Sequence, residues 1–212
     1  MNPQKKSWEN LARQVIKGLE RRNMEGHYYV TKEEAVQSII EMIPEESVIA
    51  WGGSESLCEA GMFEALTARK DLELIDRDRV NSPEEKYAVQ LRSFGADYYL
   101  MSSNAVTRDG VLINVDGTGN RAACLIYGPK NVIMLVGMNK ITDDVEAGIS
   151  RLRNVAAPPN AVRLAQKTPC AEAGHCMDCH AKDCICGDFV ITRHCREAKR
   201  IKVFLVGETL GY

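Results

Sequence analysis

Two spacings of apolar residues alternate along this chain. Helical spacing runs through residues 8–19 and, after a capping box at Thr31 and Glu34, through residues 36–43. Short apolar runs of strand length lie between such stretches, and residues 131–136 are nearly all apolar. A run of that kind is typical of a strand buried on both faces of a parallel sheet. The alternation predicts an α/β domain with a largely parallel sheet flanked by helices.

Strand and helix boundaries follow from turn and capping residues. The predicted strands are residues 27–30, 47–51, 72–76, 96–101, 111–115, 131–136 and 202–206. An N-terminal helix is predicted within residues 1–26, another at about 57–69, and a third from Ser82 to Gly95 with Tyr87, Leu91 and Phe94 on its inner face. Pro158 and Pro159 are expected to interrupt the helical pattern near the end of the chain.

Residues 104–121 carry much of the polar chemistry that suits a ligand. A short strand is predicted between two Asp-Gly pairs, at residues 109–110 and 116–117, because Asp-Gly tolerates the backbone angles of tight turns. A Gly-rich turn then leads into a predicted helix at residues 122–127. Free N–H groups at such a helix start suit a phosphate or carboxylate, and Arg121 could add a bidentate clamp. The plainer interpretation is a hairpin followed by a helix cap.

The candidate pocket residues lie in turns that follow predicted strands. Residues 47–57 are predicted to form a βα unit, with a strand, a Gly/Ser turn and the start of a helix. The turn of such a unit often contacts a ligand. The candidate acid–base residues are Glu59, Asp109 and Asp116. The candidate ligand-binding residues are Gly53, Ser54, Ser56, Asn104, Thr118, Gly119, Asn120, Arg121 and Lys140. Ordinary structural roles stay open for these residues: a solvated glutamate, turn aspartates, a capping serine and a surface lysine.

Length and composition favour one domain spanning residues 1–212, with ordinary hydrophobic (45%) and charged (26%) fractions. A net charge of −2 argues against a dedicated nucleic-acid surface. We see neither a signal peptide nor an apolar run long enough for a membrane span, so a cytoplasmic protein is expected.

Six of the eight cysteines fall near the end of the chain, within an expected insertion at residues 169–195 before the last strand. In a reducing compartment such clustering points to a metal or redox site. The predicted metal ligands are Cys170, Cys176, Cys179 and Cys186. One Cys-x-x-Cys knuckle with flanking single cysteines is closer to a [4Fe–4S] arrangement than to structural zinc. Zinc, disulfides or free thiols stay open, as does replacement of a ligand by Cys184 or Cys195.

Several motifs resemble the LUD-domain family, named for lactate utilisation, and in particular its cysteine-bearing branch. They are N-A-V-T-R-D-G at 104–110, D-G-T-G-N-R at 116–121, G-P-K at 128–130, G-M-N-K at 137–140, A-P-P-N at 157–160, P-C from 169 and G-E-T-L-G-Y at 207–212. The resemblance implies a three-layer fold similar to glucosamine-6-phosphate isomerase, ribose-5-phosphate isomerase and CoA-transferases. Those relatives bind sugar phosphates or CoA thioesters at the strands' carboxyl ends.

The resemblance also implies a role in L-lactate or related 2-hydroxy-acid metabolism. The expected protein is a subunit or accessory of an electron-transferring complex, with a small anionic metabolite and iron–sulfur subunits as partners. A homo-oligomer stays open. The alternative is a stand-alone isomerase, transferase or sensor for a phosphorylated or CoA-linked small acid.

Overall fold

The computed structural model describes residues 2–212, in which strands and helices alternate along most of the chain. The strands are β1 (Glu25–Tyr29), β2 (Val48–Trp51), β3 (Glu73–Ile75), β4 (Tyr98–Met101), β5 (Ala105–Thr107), β6 (Leu112–Asp116), β7 (Asn131–Gly137), β8 (Ile141–Thr142), β9 (Asp188–Thr192) and β10 (Ile201–Val206). The α-helices are α1 (Pro3–Arg21), α2 (Lys32–Met42), α3 (Glu55–Glu59), α4 (Met62–Ala68), α5 (Pro83–Ser93), α6 (Asn120–Ile126), α7 (Val145–Arg151), α8 (Ala157–Arg163) and α9 (Pro169–Ala173).

Six strands form the main sheet, in the order β1-β10-β7-β4-β2-β3, and every neighbouring pair is parallel. The nearly all-apolar strand β7 lies at its centre, and six of its seven residues are buried. One apolar cluster on each face of the sheet joins it to helices, with α1 contributing to one cluster and α2 to the other. The predicted α/β fold with a largely parallel, helix-flanked sheet is therefore confirmed.

A second sheet has four strands in the order β8-β5-β6-β9. Of these strands, the sequence predicted only β6, as residues 111–115. Its outer strand β9 comes from the cysteine segment, which we define as residues 169–195, and pairs antiparallel with β6. That segment precedes the last strand, as expected, but it also contains α9 and donates a strand to a sheet. It is therefore tied into the fold by a backbone ladder of hydrogen bonds.

Helix boundaries depart from the sequence expectations at several points. Helix α1 ends at Arg21, and β1 has already begun at Glu25, so the helix does not extend to residue 26. The helix expected at 57–69 is two helices, because Gly61 adopts a left-handed conformation (φ 75°) between them. Pro158 and Pro159 do not break the pattern: they lie in the first turn of α8, where a missing N–H costs no helical hydrogen bond.

The expected inner face of α5 was wrong. Tyr87 and Leu91 are more than half exposed, and Phe94 is also on the surface. The helix instead turns Val89 and the buried Ser93 toward the sheet. The positions of the apolar residues in this short helix therefore did not indicate which of its faces is buried.

Helix α1 docks on the β5–β6 turn through two glycines. A β-carbon at Gly18 would overlap the main-chain carbonyl of Asp109, and one at Gly110 would overlap the backbone of Gly18. Gly110 also has a positive φ of 88°. Arg22, just beyond α1, bonds both the carbonyl and the carboxylate of Asp109. The turn at Asp109 is therefore held by helix α1.

Among residues 2–212, no helix is both long enough and apolar enough to cross a membrane.

Candidate functional site

A cavity of about 260 Å³ opens at the carboxyl ends of strands β2, β4, β6 and β7. Loops at this end of a parallel sheet are where α/β proteins bind ligands, because the helices that follow the strands diverge there. Nine of the twelve predicted pocket residues line it. They are Gly53, Ser54, Ser56, Asn104, Asp116, Thr118, Asn120, Arg121 and Lys140.

Lys140 lies at the buried end of the short turn after β7 and is 3% exposed. Its side-chain nitrogen donates to the hydroxyl of Ser56 (2.7 Å) and to that of Ser102 (3.3 Å). Burial, which is the largest cause, and the positive charges of Arg151 and Arg121 lower the pKa of Lys140 to about 7, against the opposing effect of Glu59. The lysine is thus a cavity residue and not an ordinary surface side chain.

Arg121 also borders the cavity, but its guanidinium faces the protein. One terminal nitrogen donates to the Ser102 carbonyl and the Asn114 side chain, at 3.0 and 2.9 Å. The other donates to the Asn104 side chain and the Val115 carbonyl, at 3.0 and 2.7 Å. Four protein oxygens therefore occupy the donors that a bidentate anion clamp would need. Arg121 joins the loop after β4 to strand β6.

The predicted anion position at the start of α6 is taken by the protein's own carboxylate. Asp116 accepts the N–H of Ala122 at 2.9 Å, and the Gly119 carbonyl accepts that of Ala123 at 2.7 Å. Asp116 also lies 3.8 Å from the Nε of Arg121. Gly119 is the N-cap residue of this seven-residue helix and does not itself line the cavity. The plainer interpretation, a capped helix after a hairpin, describes this part of the site.

The other two predicted acid–base residues do not line the cavity. Asp109 accepts from the Thr107 hydroxyl (2.5 Å) and pairs with Arg22, and these contacts hold the pKa of Asp109 below its usual value. The Asp109 carboxylate therefore stabilises its turn through these contacts. Glu59 lies closer to the site: its carboxylate accepts the N–H of Gly211 at 2.6 Å, and its charge acts on Lys140.

Sequence reasoning missed several cavity residues because they are distant in the chain. Arg77 follows β3, and its guanidinium lies directly over Gly53. Arg163, on α8, pairs with Glu55 at 3.2 Å and donates to the Tyr212 hydroxyl at 2.8 Å. A feature that could have indicated Arg77 is its place just after a parallel strand, at the same sheet edge as the Gly/Ser turn.

The cysteine segment forms one wall of the cavity. Ile185 and Cys186 line it directly, and a β-carbon at Gly117 would touch the backbone of Ile185 at 3.2 Å. The turn after β6 and the end of the cysteine segment are therefore in van der Waals contact. This places a candidate metal ligand and the buried Lys140 around one cavity.

Three other clustered thiols, those of Cys184, Cys170 and Cys176, are close enough to act on Cys186. Burial, which is the largest cause, and these three thiols together raise the pKa of the Cys186 thiol to about 12. Cys184, the predicted substitute ligand, belongs to that group, whereas the predicted ligand Cys179 does not. All eight cysteines are free thiols. Within residues 2–212, no three His, Cys, Asp or Glu side chains are arranged to hold a metal ion.

Cys176 has the most polar contacts of these thiols. Its sulfur accepts the backbone N–H of Asp178 at 3.4 Å and the Nε of Arg153 at 3.2 Å. Its own N–H donates to the side chain of Asn154 at 3.3 Å. Arg153 and Asn154 belong to a π-helical turn, Leu152–Ala156, between α7 and α8. The Cys-x-x-Cys turn is thus anchored to the helical layer.

The sequence profile of the LUD domain family matches residues 12–206. The chain belongs to the LUD-domain family. In fold it is similar to the crystal structure of a DUF162 family protein from Deinococcus radiodurans, with a TM-score of 0.53 and 15% sequence identity. That comparison covers 94% of this chain and 98% of the other, and at such low identity it concerns the fold alone. No match was found among curated proteins.

Proposed function

We propose that this LUD domain binds a small 2-hydroxy or 2-oxo acid in the cavity and acts in L-lactate or related 2-hydroxy-acid metabolism. It does so as a subunit or accessory of an electron-transferring complex. The family supplies the metabolic setting. The observation that carries the proposal is the shared cavity, in which Cys186 of the cysteine segment and Lys140 line one space.

The charge of the cavity suits a carboxylate ligand. Its lining contains four basic side chains and two carboxylates. The basic residues are Arg77, Arg121, Lys140 and Arg163, and the acidic residues are Glu55 and Asp116. Arg121 and Arg163 donate hydrogen bonds to protein groups, whereas Arg77 has only a 3.8 Å ion pair with the exposed Asp78, so Arg77 is the arginine best suited to an incoming anion. A volume of about 260 Å³ lies near the lower end for small-molecule sites, which suits a metabolite of a few heavy atoms.

The donor chemistry of the cysteine segment fits an iron–sulfur cluster. Thiols surround Cys186, and Cys176 already accepts hydrogen bonds from a backbone N–H and from Arg153. Such bonds stabilise negative charge on cluster sulfurs and tune the reduction potential. Cys170, Cys176, Cys179 and Cys186 are the proposed ligands, with Cys184 as the alternative to Cys179 and zinc as the alternative metal. A bound cluster would supply one-electron transfer beside the ligand.

Protein prepared without oxygen is expected to contain iron and acid-labile sulfide, because four thiols on one segment can converge on a cluster. Chemical analysis of both elements, with the absorption spectrum, measures this. Cys176→Ser should reduce the iron content severely, whereas Cys58→Ser, at an exposed position of α3, should not. Comparing Cys179→Ser with Cys184→Ser identifies the fourth ligand. A colourless, iron-free and fully soluble protein would refute the cluster.

L-Lactate, glycolate or their 2-oxo counterparts are expected to raise the melting temperature, because binding to the folded state alone stabilises it. Differential scanning fluorimetry against these acids, sugar phosphates and CoA esters measures the effect. Arg77→Met should weaken the shift, while Arg108→Met, on the surface outside the cavity and paired with Asp143, is the matched control. Shifts only from sugar phosphates or CoA esters would favour the isomerase, transferase or sensor alternative. No shift from any anion would contradict the proposed ligand site.

A further inference from the structure

The hydrogen bonds around Lys140 match a neutral amine. A neutral lysine has two N–H groups and one lone pair, and Lys140 has two acceptors, the hydroxyls of Ser56 and Ser102. Both hydroxyls in turn donate to main-chain carbonyls, Ser56 to Leu210 at 3.2 Å and Ser102 to Ser103 at 3.4 Å. The serines therefore accept from the lysine. The fourth tetrahedral position of the nitrogen, which holds the lone pair, is left for a ligand in the cavity.

The charges around Lys140 also disfavour its protonation. In the described residues 2–212, Lys140 forms no ion pair with a carboxylate. Arg151 of α7 and Arg121 of α6 oppose its charge, and Glu59 at the end of α3 is the acidic group that favours it. A third N–H would have no protein acceptor among the hydrogen bonds of this side chain. A buried amine beside other cations is a recognised form of activated lysine nucleophile.

We propose that Lys140 forms a Schiff base with the carbonyl group of a small 2-oxo acid bound in the cavity. The amine lone pair attacks the carbonyl carbon, and the C=O π pair moves to oxygen. A proton then passes from the nitrogen to that oxygen and gives the carbinolamine. The hydroxyl group takes a second proton and leaves as water, while the nitrogen lone pair forms the C=N double bond. Overall, the amine, the 2-oxo acid and one proton give the iminium and water, and the reaction needs no oxidant or reductant.

The choice of a 2-oxo acid rests on the proposed function, because oxidation of a 2-hydroxy acid yields the 2-oxo acid. The lining supports it independently: Lys140 offers the amine, and Arg77 offers a cation for the carboxylate. Ser102, within hydrogen-bond distance of the nitrogen, can bind the carbinolamine hydroxyl. The iminium would hold the oxo acid beside Cys186 and withdraw electrons from its neighbouring carbon atoms.

Acyl transfer by a serine activated by Lys140 is the competing chemistry, and the hydrogen bonds argue against it. A nucleophilic serine must give its proton to the base. Ser56 and Ser102 give theirs to carbonyl oxygens and receive hydrogen bonds from Lys140. Ser56 is also fully buried.

Borohydride trapping tests the Schiff base. The full chain is incubated with pyruvate at pH 7 to 8, reduced with sodium borohydride and examined by intact-mass and peptide mass spectrometry. One reduced pyruvate adduct on Lys140 is expected. At pH 7 the neutral fraction of an amine with a pKa near 7 exceeds that of an ordinary lysine on the order of a thousandfold, so labelling of lysines should be confined to this site, and the peptide map separates it from any adduct on the α-amino group. L-Lactate, which has no carbonyl to condense, should give no adduct.

Two lysine variants control the trapping. Lys140→Met should abolish the adduct while circular dichroism confirms its fold. Lys202→Met should retain it, since Lys202 is a partly buried lysine outside the cavity whose nitrogen contacts Asn131 and Lys199. No adduct, or an adduct that persists in Lys140→Met, overturns the inference. Its failure is distinct from that of the proposed function, because hydroxy acids would still raise the melting temperature without forming an adduct.

Discussion

Replacing Arg121 with methionine is expected to lower the free energy of unfolding by about 3–5 kcal/mol. The change removes a largely buried guanidinium and its hydrogen bonds to two carbonyls and to the side-chain oxygens of Asn104 and Asn114, of which that of Asn104 keeps the N–H of Val115 as a donor at 3.1 Å. Each buried acceptor left unpaired costs about 1–3 kcal/mol, partly relieved by relaxation or entering water. Asp116 also loses its cationic neighbour at 3.8 Å. Urea unfolding measures the change.

Arg163→Met is the matched control for Arg121. It removes another cavity arginine, but one whose side chain is 37% exposed and pairs with Glu55 at 3.2 Å. An ion pair open to water contributes little, so the expected loss is within about 1 kcal/mol. If Arg121→Met unfolded like the parent protein but no longer bound acids, the guanidinium would be an anion clamp after all. Equal, large losses in both variants would show that the four internal hydrogen bonds are not the cause.

Replacing Lys140 with methionine is expected to stabilise the protein, most strongly below pH 7. The ordinary lysine pKa of 10.5 falls to about 7 on folding, so between these values the unfolded chain binds more protons than the native state. Stability of the parent therefore rises with pH through this window, and the penalty is fully present below pH 7. Its ceiling is about 4–5 kcal/mol. Losing two hydrogen bonds offsets part of it, leaving an expected gain of about 2–3 kcal/mol at pH 6.

Urea titrations at pH 6, 8 and 10 measure this effect. The gain of Lys140→Met over the parent should shrink as the pH rises, because the parent loses its penalty. Lys70→Met is the control: its exposed nitrogen contacts only the Thr67 carbonyl, so the pH dependence should stay that of the parent. A destabilised Lys140→Met at pH 6 would mean that the lysine is charged and favourably solvated in the native state. That outcome would also weaken the case for a neutral amine.

The parallel sheet and most of the cavity could be predicted because they follow from local sequence patterns. An all-apolar run such as β7 can only be buried on both faces, and the carboxyl ends of parallel strands meet at one edge of the sheet. The turns after β2 and β7 therefore had to face one space. Lys140 was found by this reasoning, since it follows β7 directly.

The roles of individual residues within that space depended on contacts that no local pattern contains. Asp109 had the features of a catalytic turn residue, but its partner is Arg22, beyond a helix that the sequence does not place beside it. Arg121 followed a Gly-rich turn, and only the structure shows four protein oxygens around it. Likewise, β9 lies among cysteines whose spacing suggested metal binding, and its pairing with β6 joins positions more than 70 residues apart.

If the cavity binds the proposed acid, the contact between the cysteine segment and the turn after β6 would couple that binding to the oxidation state of the thiols. Ile185 abuts Gly117, and β9 continues the same segment into the second sheet. Oxidative damage at these sulfurs would loosen the wall beside Lys140 and, by linkage, weaken the hold on any acid inside. Conversely, a molecule bound in the cavity would shield Cys186 from oxygen.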